Sequence, residues 1–319
     1  ADIHRLYYPD ALLQLGESRL SEAWEQSVPE DLLYEMLLPI ESKADNRSKT
    51  GSGKLLYDWQ EHPYANEQCR EYLSALKQFD IPSDVVFEKF YPLIALIPTY
   101  NESERITDCL RSVEKYCDGI ILLDDDSQDD TYEITQSDKL LLKAQKVRTE
   151  FNDKQNRNML LDIASFFKVE WFIFIDADER FDDRFMDLRE VIKRTDVDTV
   201  GIQIANLWDS METYRVDKEA GISSNSRFWL RWRMFRNKGW MQIINQRTLH
   251  FPSIPYKNSY RCFKAKTLLI HLGYLNLIDR QHKYDFYQVE DRDRILNYDI
   301  ILDDNYDVEN IHDISFYML

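Results

Sequence analysis

Two aspartates follow directly after an apolar run, and their type and spacing suit the binding of a cation and a phosphate. Asp176 and Asp178 are separated by one alanine at the end of the apolar run 171–175. A run this apolar, bounded by charge, predicts a strand of a parallel sheet covered on both faces. Open α/β sheets bind ligands beyond the carboxyl ends of their strands. Two close carboxylates repel each other unless a cation compensates them, and their oxygens suit Mg2+ or Mn2+ bridging to a substrate phosphate.

Three stretches upstream have the pattern of elements that would place their loops beside this pair. An apolar run at residues 93–97 is stopped by Pro98, and a second run at residues 120–123 leads into the acidic segment 124–131. The first run is followed by a helical period formed by Ile106, Cys109, Leu110, Val113 and Cys117. Residues 153–167 have the spacing of a helix that leads to the strand before the paired aspartates. This order predicts an α/β fold with a mostly parallel, right-handed, doubly wound sheet whose acidic clusters lie on one rim.

The loop after the first strand has a helix-capping pattern. Asn101 is followed three residues later by Glu104, so we expect the two residues to cap the first helix. The backbone N–H groups of this loop would then be free to face an anionic ligand above the sheet.

Composition limits the class of protein. The chain has 319 residues, and its 40 basic and 57 acidic side chains give a formal charge of −17, which argues against a general nucleic-acid or anionic-membrane surface. The four cysteines, Cys69, Cys109, Cys117 and Cys262, have no CxxC spacing, which favours reduced thiols in a cytosol. No run approaches the roughly 20 apolar residues of a membrane span, and the first residues do not resemble a signal peptide. We therefore expect a soluble, cytoplasmic protein, with peripheral membrane association left open.

Four segments together resemble a known family. They are Pro98-Thr99-Tyr100-Asn101-Glu102, Leu123-Asp124-Asp125-Asp126-Ser127-Gln128-Asp129-Asp130-Thr131, Arg157-Asn158 and Asp176-Ala177-Asp178-Glu179-Arg180. In order and spacing they resemble the first nucleotide-binding loop, the aspartate-rich segment, the Arg-Asn pair and the metal-binding segment of the GT-A fold glycosyltransferases of family 2. The likeness covers residues 93–180 and is absent from the first 90 residues. Asp126 and Asp130 stand where that family usually has glycines, so the local turn departs from the pattern.

The resemblance implies a role for each matching residue. The residues that it implies for donor binding, together with two arginines discussed below, are Pro98, Thr99, Tyr100, Glu102, Asp124, Asp125, Arg157, Asp176, Arg233 and Arg236. Either Asp124 or Asp125 would hydrogen-bond the base. Asp178 would ligate Mn2+ or Mg2+ on the diphosphate, and Asp176 would contact the ribose or the metal through water. His271 lies in a segment that resembles the family's late His-x-Gly-Tyr and would complete the metal shell; an ordinary structural histidine is the alternative, and His250 is a weaker rival.

The chain becomes basic and aromatic between Arg215 and Arg247. Arginine forks suit diphosphate oxygens and aromatic planes suit sugar faces, so we predict that Arg233 and Arg236 clamp the donor phosphates and that this stretch binds the acceptor. A solvated strand pair with stacked arginines is the alternative.

Relatives of this type generally invert the anomeric centre in one displacement, which requires a base on the acceptor hydroxyl. The resemblance places a His-Glu pair after the Arg-x-Phe-Arg stretch in several relatives, but residues 245–246 of this chain are Asn and Gln, and neither amide can act as a base. Asp209 and Asp217 are our candidates instead.

These observations predict three regions and one activity. Residues 1–90 would be a helical extension, 91–275 the GT-A domain, with a nucleotide-sugar half (91–205) and an acceptor half (206–275), and 276–319 a helical and acidic appendage. The predicted activity is metal-dependent, inverting transfer of a hexosyl-type sugar from a UDP- or dTDP-type donor to a saccharide or other hydroxyl acceptor, as in bacterial glycan assembly. The alternatives are a sugar nucleotidyltransferase and a catalytically silent sugar-nucleotide-binding scaffold.

Overall fold

The structure is a computed structural model that describes residues 75–216, 228–239, 241–243, 249, 251, 253–255, 261–291 and 297–315. Its strands are β1 (Leu76–Asp80), β2 (Phe90–Thr99), β3 (Gly119–Asp124), β4 (Leu140–Lys146), β5 (Lys168–Phe174), β6 (Glu179–Phe181), β7 (Thr199–Trp208), β8 (Ser210–Arg215), β9 (Trp229–Arg236), β10 (Cys262–His271) and β11 (Val308–Asn310). Its helices are α1 (Ile106–Glu114), α2 (Thr131–Ile134), α3 (Asp153–Ala164), α4 (Leu188–Val191) and α5 (Leu277–Glu290), with 3-10 turns at Tyr298–Ile301 and Ile311–Asp313.

The central strands form the predicted parallel sheet. The order along the sheet is β1-β4-β3-β2-β5-β9-β7-β10-β6, and β8 pairs with β7 and β11. Strand β2 lies between β3 and β5 and is parallel to both, and β4 is parallel to β3. Their carboxyl ends share one rim, because Thr99 pairs with Asp124 and Leu96 pairs with Phe174. The predicted α/β class, with its mostly parallel central strands flanked by helices, is confirmed.

The second half of the sheet brings a distant segment to the same rim. Strand β9 is antiparallel to β5 and β7, while β10 runs parallel to β7 and antiparallel to β6. The last residue of β10, His271, is paired with Asn206 on one side and with Glu179 on the other. The histidine predicted for the metal shell therefore lies directly beside the loop that carries Asp176 and Asp178.

The side chains of β2 point alternately to the two faces of the sheet, and both faces are covered. Leu93, Ala95 and Ile97 belong to one buried cluster with residues of α1, and the residues between them must point to the opposite face. Helix α3 begins after Asn152, whose side chain accepts a hydrogen bond from the Gln155 N–H. Helix α3 supplies buried apolar side chains at Met159, Leu160, Ile163 and Ala164.

The capping prediction for the first helix is wrong. Helix α1 begins at Ile106 after Arg105, which makes no side-chain cap hydrogen bond, and the Asn101 side-chain oxygen instead accepts from the Gln128 N–H at 2.7 Å. The N–H groups of the loop are not free either, because those of Asn101, Glu102 and Ser103 donate to Ser127 Oγ, Thr131 Oγ1 and Asp129 Oδ2. The two loops at this rim therefore brace each other.

Residues 1–74 lie outside the described residues, so most of the predicted N-terminal extension stays a prediction. Strand β1 lies before residue 91 and pairs with β4 as an edge strand of the sheet. No helix within the described ranges is both long and apolar enough to cross a bilayer. Cys109 and Cys117 are buried free thiols and Cys262 is a half-buried one.

Candidate functional site

A cavity of about 440 Å³ opens at the rim where the parallel strands end. Its lining includes ten of the predicted site residues: Pro98, Thr99, Tyr100, Glu102, Asp125, Arg157, Asp176, Asp178, Arg233 and His271. They come from the ends of β2, β3, β5, β9 and β10 and from helix α3. The volume falls in the range of small-molecule and cofactor sites.

One end of the cavity presents a hydrogen-bond acceptor beside a donor. The carboxylate of Asp125 is buried and pairs with Lys146 at 2.6 Å and with Arg148 at 2.8 Å. Asn156 donates to the same carboxylate at 3.1 Å. The guanidinium carbon of Arg148 lies 3.9 Å from the centre of the Tyr100 ring, so the arginine is held flat at the cavity wall.

The neighbouring aspartates of this segment shape the loop. Asp124 does not belong to the described lining of the cavity, and its oxygens accept from the Ser127 N–H and Oγ and from Gln145. Asp126 takes a left-handed backbone conformation with φ 64°, which explains why relatives have glycine there. Asp130 has φ −75° before α2, so its position does not require glycine.

Asp176 is held between two arginines. Its two oxygens accept from Arg157 at 2.9 Å and from Arg233 at 2.8 Å, and Arg233 also binds Glu179 at 2.8 Å. Burial alone would raise the pKa of Asp176, but Arg233 and Arg157 outweigh it and hold that pKa well below its usual range. Burial raises the pKa of Glu179 to about 7, with Arg233 opposing the rise. Asp153 accepts from Nε of Arg157 at 2.9 Å, so this network is anchored in α3 and β9.

Asp178 has different partners. Its Oδ2 lies 3.1 Å from His271 Nε2 and 3.1 Å from the ammonium nitrogen of Lys283. Burial opposes ionisation, but His271 and Lys283 together keep the pKa of Asp178 well below its ordinary value. Burial and the repulsion of Asp178 raise the pKa of nearby Glu102 to about 7.

Asp178 and His271 offer an oxygen and a nitrogen donor to a divalent cation, whereas both oxygens of Asp176 already accept from guanidinium groups. A carboxylate oxygen and an imidazole nitrogen are suitable donors for Mn2+. A Cβ at Gly273 would lie 2.6 Å from Asp178 Oδ2 and 2.8 Å from His271 Nε2, so only glycine leaves the space between them open. The described residues contain no cluster of three or more His, Cys, Asp or Glu side chains suited to a metal. The remaining ligands would therefore come from substrate phosphates, as is common for Mg2+.

Several polar atoms that line this cavity are buried without a hydrogen-bond partner in the described part of the chain. They are Thr99 Oγ1, Asn156 Oδ1, Arg157 Nη1, Asn206 Oδ1, Arg233 Nε and His271 Nδ1. Buried polar groups are nearly always satisfied in folded proteins. Because these atoms are themselves buried, they show that the polar wall of the cavity is incompletely satisfied, not which atoms a ligand would contact.

Residues 94–253 match the model of glycosyl transferase family 2. The chain belongs to this family. The Bacillus subtilis SPbeta prophage-derived glycosyltransferase SunS is 39% identical over 87 residues, which cover 27% of this chain and 19% of SunS. The uncharacterized protein Rv3786c of Mycobacterium tuberculosis is 23% identical over 222 residues, which cover 66% of this chain and 53% of that protein. The matches thus span about half or less of these relatives' own length.

Two solved structures are examples of those that resemble this one. The S. aureus TarS 1–349 complex with UDP-GlcNAc has a TM-score of 0.41 at 17% identity, covering 56% of this chain and 58% of that one. The mannosyltransferase PcManGT from Pyrobaculum calidifontis, in complex with GDP-Man and Mn2+, has a TM-score of 0.28 at 19% identity, covering 53% of this chain and 46% of that one.

Besides Asp124, two described residues that were predicted for the site of this family 2 chain lie outside the cavity lining. Arg236 stands three residues beyond Arg233 on β9, so it points to the other face, where it binds Glu170 and the carbonyl of Arg194. Asp209 binds Arg280 at 2.9 Å and Tyr306 at 2.6 Å. Neither belongs to the described cavity lining, so the structure does not bring them to the donor site. Asp217 and His250 lie outside the described residues.

The unpredicted residues of the site include Arg105, Arg148, Asp279 and Lys283. Arg148 closely follows the end of β4, and the rule that strand ends meet at one rim could have indicated it. Asp279 and Lys283 are four residues apart on α5, so they share a helix face. That spacing was visible in the sequence, but the partners of this face were not.

Proposed function

We propose that this family 2 chain transfers a sugar from a nucleoside diphosphate donor to a hydroxyl acceptor. The observation that carries the proposal is the cavity itself, which has the Asp125–Arg148 pair at one end and the Asp178–His271 pair at the other. A nucleotide sugar has a matching order of parts, with a base at one end and a diphosphate joined to the sugar at the other.

The base end favours a UDP- or dTDP-type donor. Uracil and thymine present a ring N–H flanked by carbonyl oxygens. Asp125 can accept from the N–H, while the guanidinium of Arg148 can donate to a carbonyl oxygen. Tyr100 and Phe151 also line this end, and their rings offer planes on which a base can stack.

The opposite end suits a diphosphate leaving group. We propose that Asp178 and His271 hold Mn2+ or Mg2+, which when bound would supply charge to neutralise the departing diphosphate. Arg157 and Arg233 add two guanidinium groups to the lining of the cavity. These donors can bind diphosphate or sugar oxygens while Asp176 fixes the orientation of both arginines.

We propose that transfer inverts the anomeric centre in one displacement. The acceptor oxygen forms the new bond to the anomeric carbon as the bond from that carbon to the diphosphate oxygen breaks, and the hydroxyl proton passes to a base. Asp217 remains the proposed base, while Asp209 is withdrawn because Arg280 and Tyr306 bind its carboxylate outside the cavity. Trp229, Arg231 and Phe251 line the cavity, and we assign them to a saccharide-type acceptor, since aromatic planes suit sugar faces.

Donor cleavage tests the proposal. Purified protein is incubated with UDP-, dTDP- and GDP-sugars in Mn2+, in Mg2+ and in excess chelator, and nucleotide release is measured. We expect UDP or dTDP release that requires the metal and is lost in Asp178→Asn. Binding of every donor without release would favour a silent scaffold, and pyrophosphate release from a nucleoside triphosphate would favour a nucleotidyltransferase.

A further inference from the structure

Helix α5 places a cation against the carboxylate that the proposed function assigns to the metal. Lys283 Nζ donates to Asp178 Oδ2 at 3.1 Å, and His271 Nε2 lies 3.1 Å from the same oxygen. The Asp178 side chain is only 5% exposed, against 30% for Lys283. The carboxylate is thus fixed in the wall, while the ammonium group approaches it from the more open side.

We propose that Lys283 is a positioning residue that occupies the cation place at Asp178 in the donor-free protein and moves to the diphosphate when metal and nucleotide bind. This inference rests on the proposed function. It adds a residue outside the four motif segments and assigns it to the coupling of metal and nucleotide binding.

The exclusion of the metal by Lys283 follows from charge and space. A divalent ion and an ammonium group cannot both sit on one carboxylate oxygen without strong repulsion, because like charges a few ångströms apart in a partly buried site are poorly screened. Gly273 lies against one side of Asp178 and His271, since a Cβ there would be 2.6 Å from Asp178 Oδ2, and Lys283 Nζ lies 3.1 Å from the same oxygen. Metal entry therefore requires Lys283 to leave.

The helix that carries Lys283 is anchored independently of that contact. Asn276 caps its first turn by accepting from the Asp279 N–H, and Asp279 pairs with Arg105 at 2.6 Å. Arg280 binds Asp209 at 2.9 Å, and its guanidinium lies 4.6 Å from the Trp208 ring. The helix can thus stay in place while the flexible four-carbon stem of Lys283 changes direction.

The new partner of Lys283 must be an anion within the cavity. Glu102 is one nearby carboxylate, but it already pairs with Arg105 at 3.1 Å. The diphosphate of the incoming donor is the other anion that the cavity would receive, and its oxygens can accept from Lys283 as well as from Arg157 and Arg233. Nucleotide thus gives Lys283 a replacement partner, which the metal alone does not.

This arrangement predicts cooperative binding. Metal alone must break the ion pair between Lys283 and Asp178, whereas metal with nucleotide replaces it by an ion pair between Lys283 and the diphosphate. Each ligand should therefore raise the affinity for the other by the same factor. Removing the lysine charge should free Asp178 for metal and abolish most of this coupling.

The experiment measures Mn2+ affinity from the electron paramagnetic resonance signal of free Mn2+, with and without UDP. For the wild-type protein we expect UDP to tighten Mn2+ binding about tenfold. For Lys283→Met we expect Mn2+ alone to bind about tenfold tighter than to the wild type, with little further gain from UDP and a weaker affinity for UDP. Lys283→Arg keeps the charge and should exclude Mn2+ as the wild type does.

The matched control is Gln288→Met, which places the same side chain at an exposed position of the same helix and should leave both affinities unchanged. Thermal unfolding of each variant verifies the fold. The inference is overturned if Lys283→Met binds Mn2+ no tighter than the wild type while UDP still tightens binding, or if Lys283→Arg behaves like Lys283→Met. If the wild type binds Mn2+ and shows no affinity for UDP, dTDP or GDP, the proposed function fails first and this inference fails with it.

Discussion

The two aspartates of the Asp-Ala-Asp segment are close together in the sequence, but different side chains surround them in the structure. Asp176 is clamped by Arg157 and Arg233, which belong to a core helix and a central strand. Asp178 faces His271 and the movable side chain of Lys283. The first region is a network of ion pairs with two buried arginines, and in the second we propose that one partner, Lys283, is exchanged. The comparison teaches that the spacing of two carboxylates brings them to one rim, while side chains from distant parts of the chain give them different partners.

Asp178→Asn should produce the largest effect, and it should be an effect on binding. The substitution removes the charged donor while keeping the shape, so we expect about a 100-fold loss of nucleotide affinity in Mn2+, or roughly 2.7 kcal/mol. Titration calorimetry with UDP in Mn2+ measures it. Although the Asp178 side chain is only 5% exposed, the free energy of unfolding should change by only about 1 kcal/mol, because the charge left behind is on Lys283, which is 30% exposed and can turn to solvent. Unchanged calorimetric heats would remove Asp178 from the metal site.

Asp176→Asn should show the reverse pattern, with a smaller effect that falls on stability. Taking the charge from a buried pair leaves two arginines undercompensated, although Asp153 and Glu179 still bind them. We expect the free energy of unfolding to fall by about 2 kcal/mol, measured by urea denaturation. A variant as stable as the wild type but unable to bind Mn2+ would show that the roles of the two aspartates are exchanged.

Glu102→Gln tests the surroundings of Asp178 through the pH dependence of stability. The pKa of Glu102 is raised from its ordinary 4.5 to about 7 by burial and by Asp178. Its contribution to stability is therefore fully present below about pH 4.5 and is lost as the pH rises through about 7. Gln resembles the protonated form of Glu102. With a chelator present to remove metal, the stability of the variant relative to the wild type should therefore rise between pH 5 and pH 8.

The gain should be on the order of 1–2 kcal/mol, read from melting temperatures of both proteins at each pH. Glu133→Gln is the matched control, because Glu133 is exposed and lies outside the described cavity lining. A stability difference that stays constant with pH would show that neither burial nor Asp178 raises the pKa of Glu102 in the folded protein.

Much of the fold and of the rim was predictable from the sequence. The apolar runs at residues 93–97, 120–123 and 171–175 are too apolar for anything but covered strands, and parallel strand ends must meet. That reasoning alone brings Thr99, Asp125 and Asp178 together, as the structure does.

The partners of these residues were not predictable, because they come from far along the chain. Arg233 is 57 residues from Asp176, and Lys283 is 105 residues from Asp178. Arg236 was wrongly grouped with Arg233 because both lie in one basic and aromatic stretch. Side chains alternate between the two faces of β9, so the two arginines point in opposite directions. Asp209 looked available because its partner Arg280 lies 71 residues away.

The most direct test of the account is a crystal grown with UDP and Mn2+ and measured at a wavelength where manganese scatters anomalously. We predict an anomalous peak about 2–2.5 Å from Asp178 and His271, with Lys283 turned to the diphosphate and the base beside Asp125 and Arg148. A peak on Asp176 with its arginines displaced, or UDP bound outside this cavity, would contradict the account.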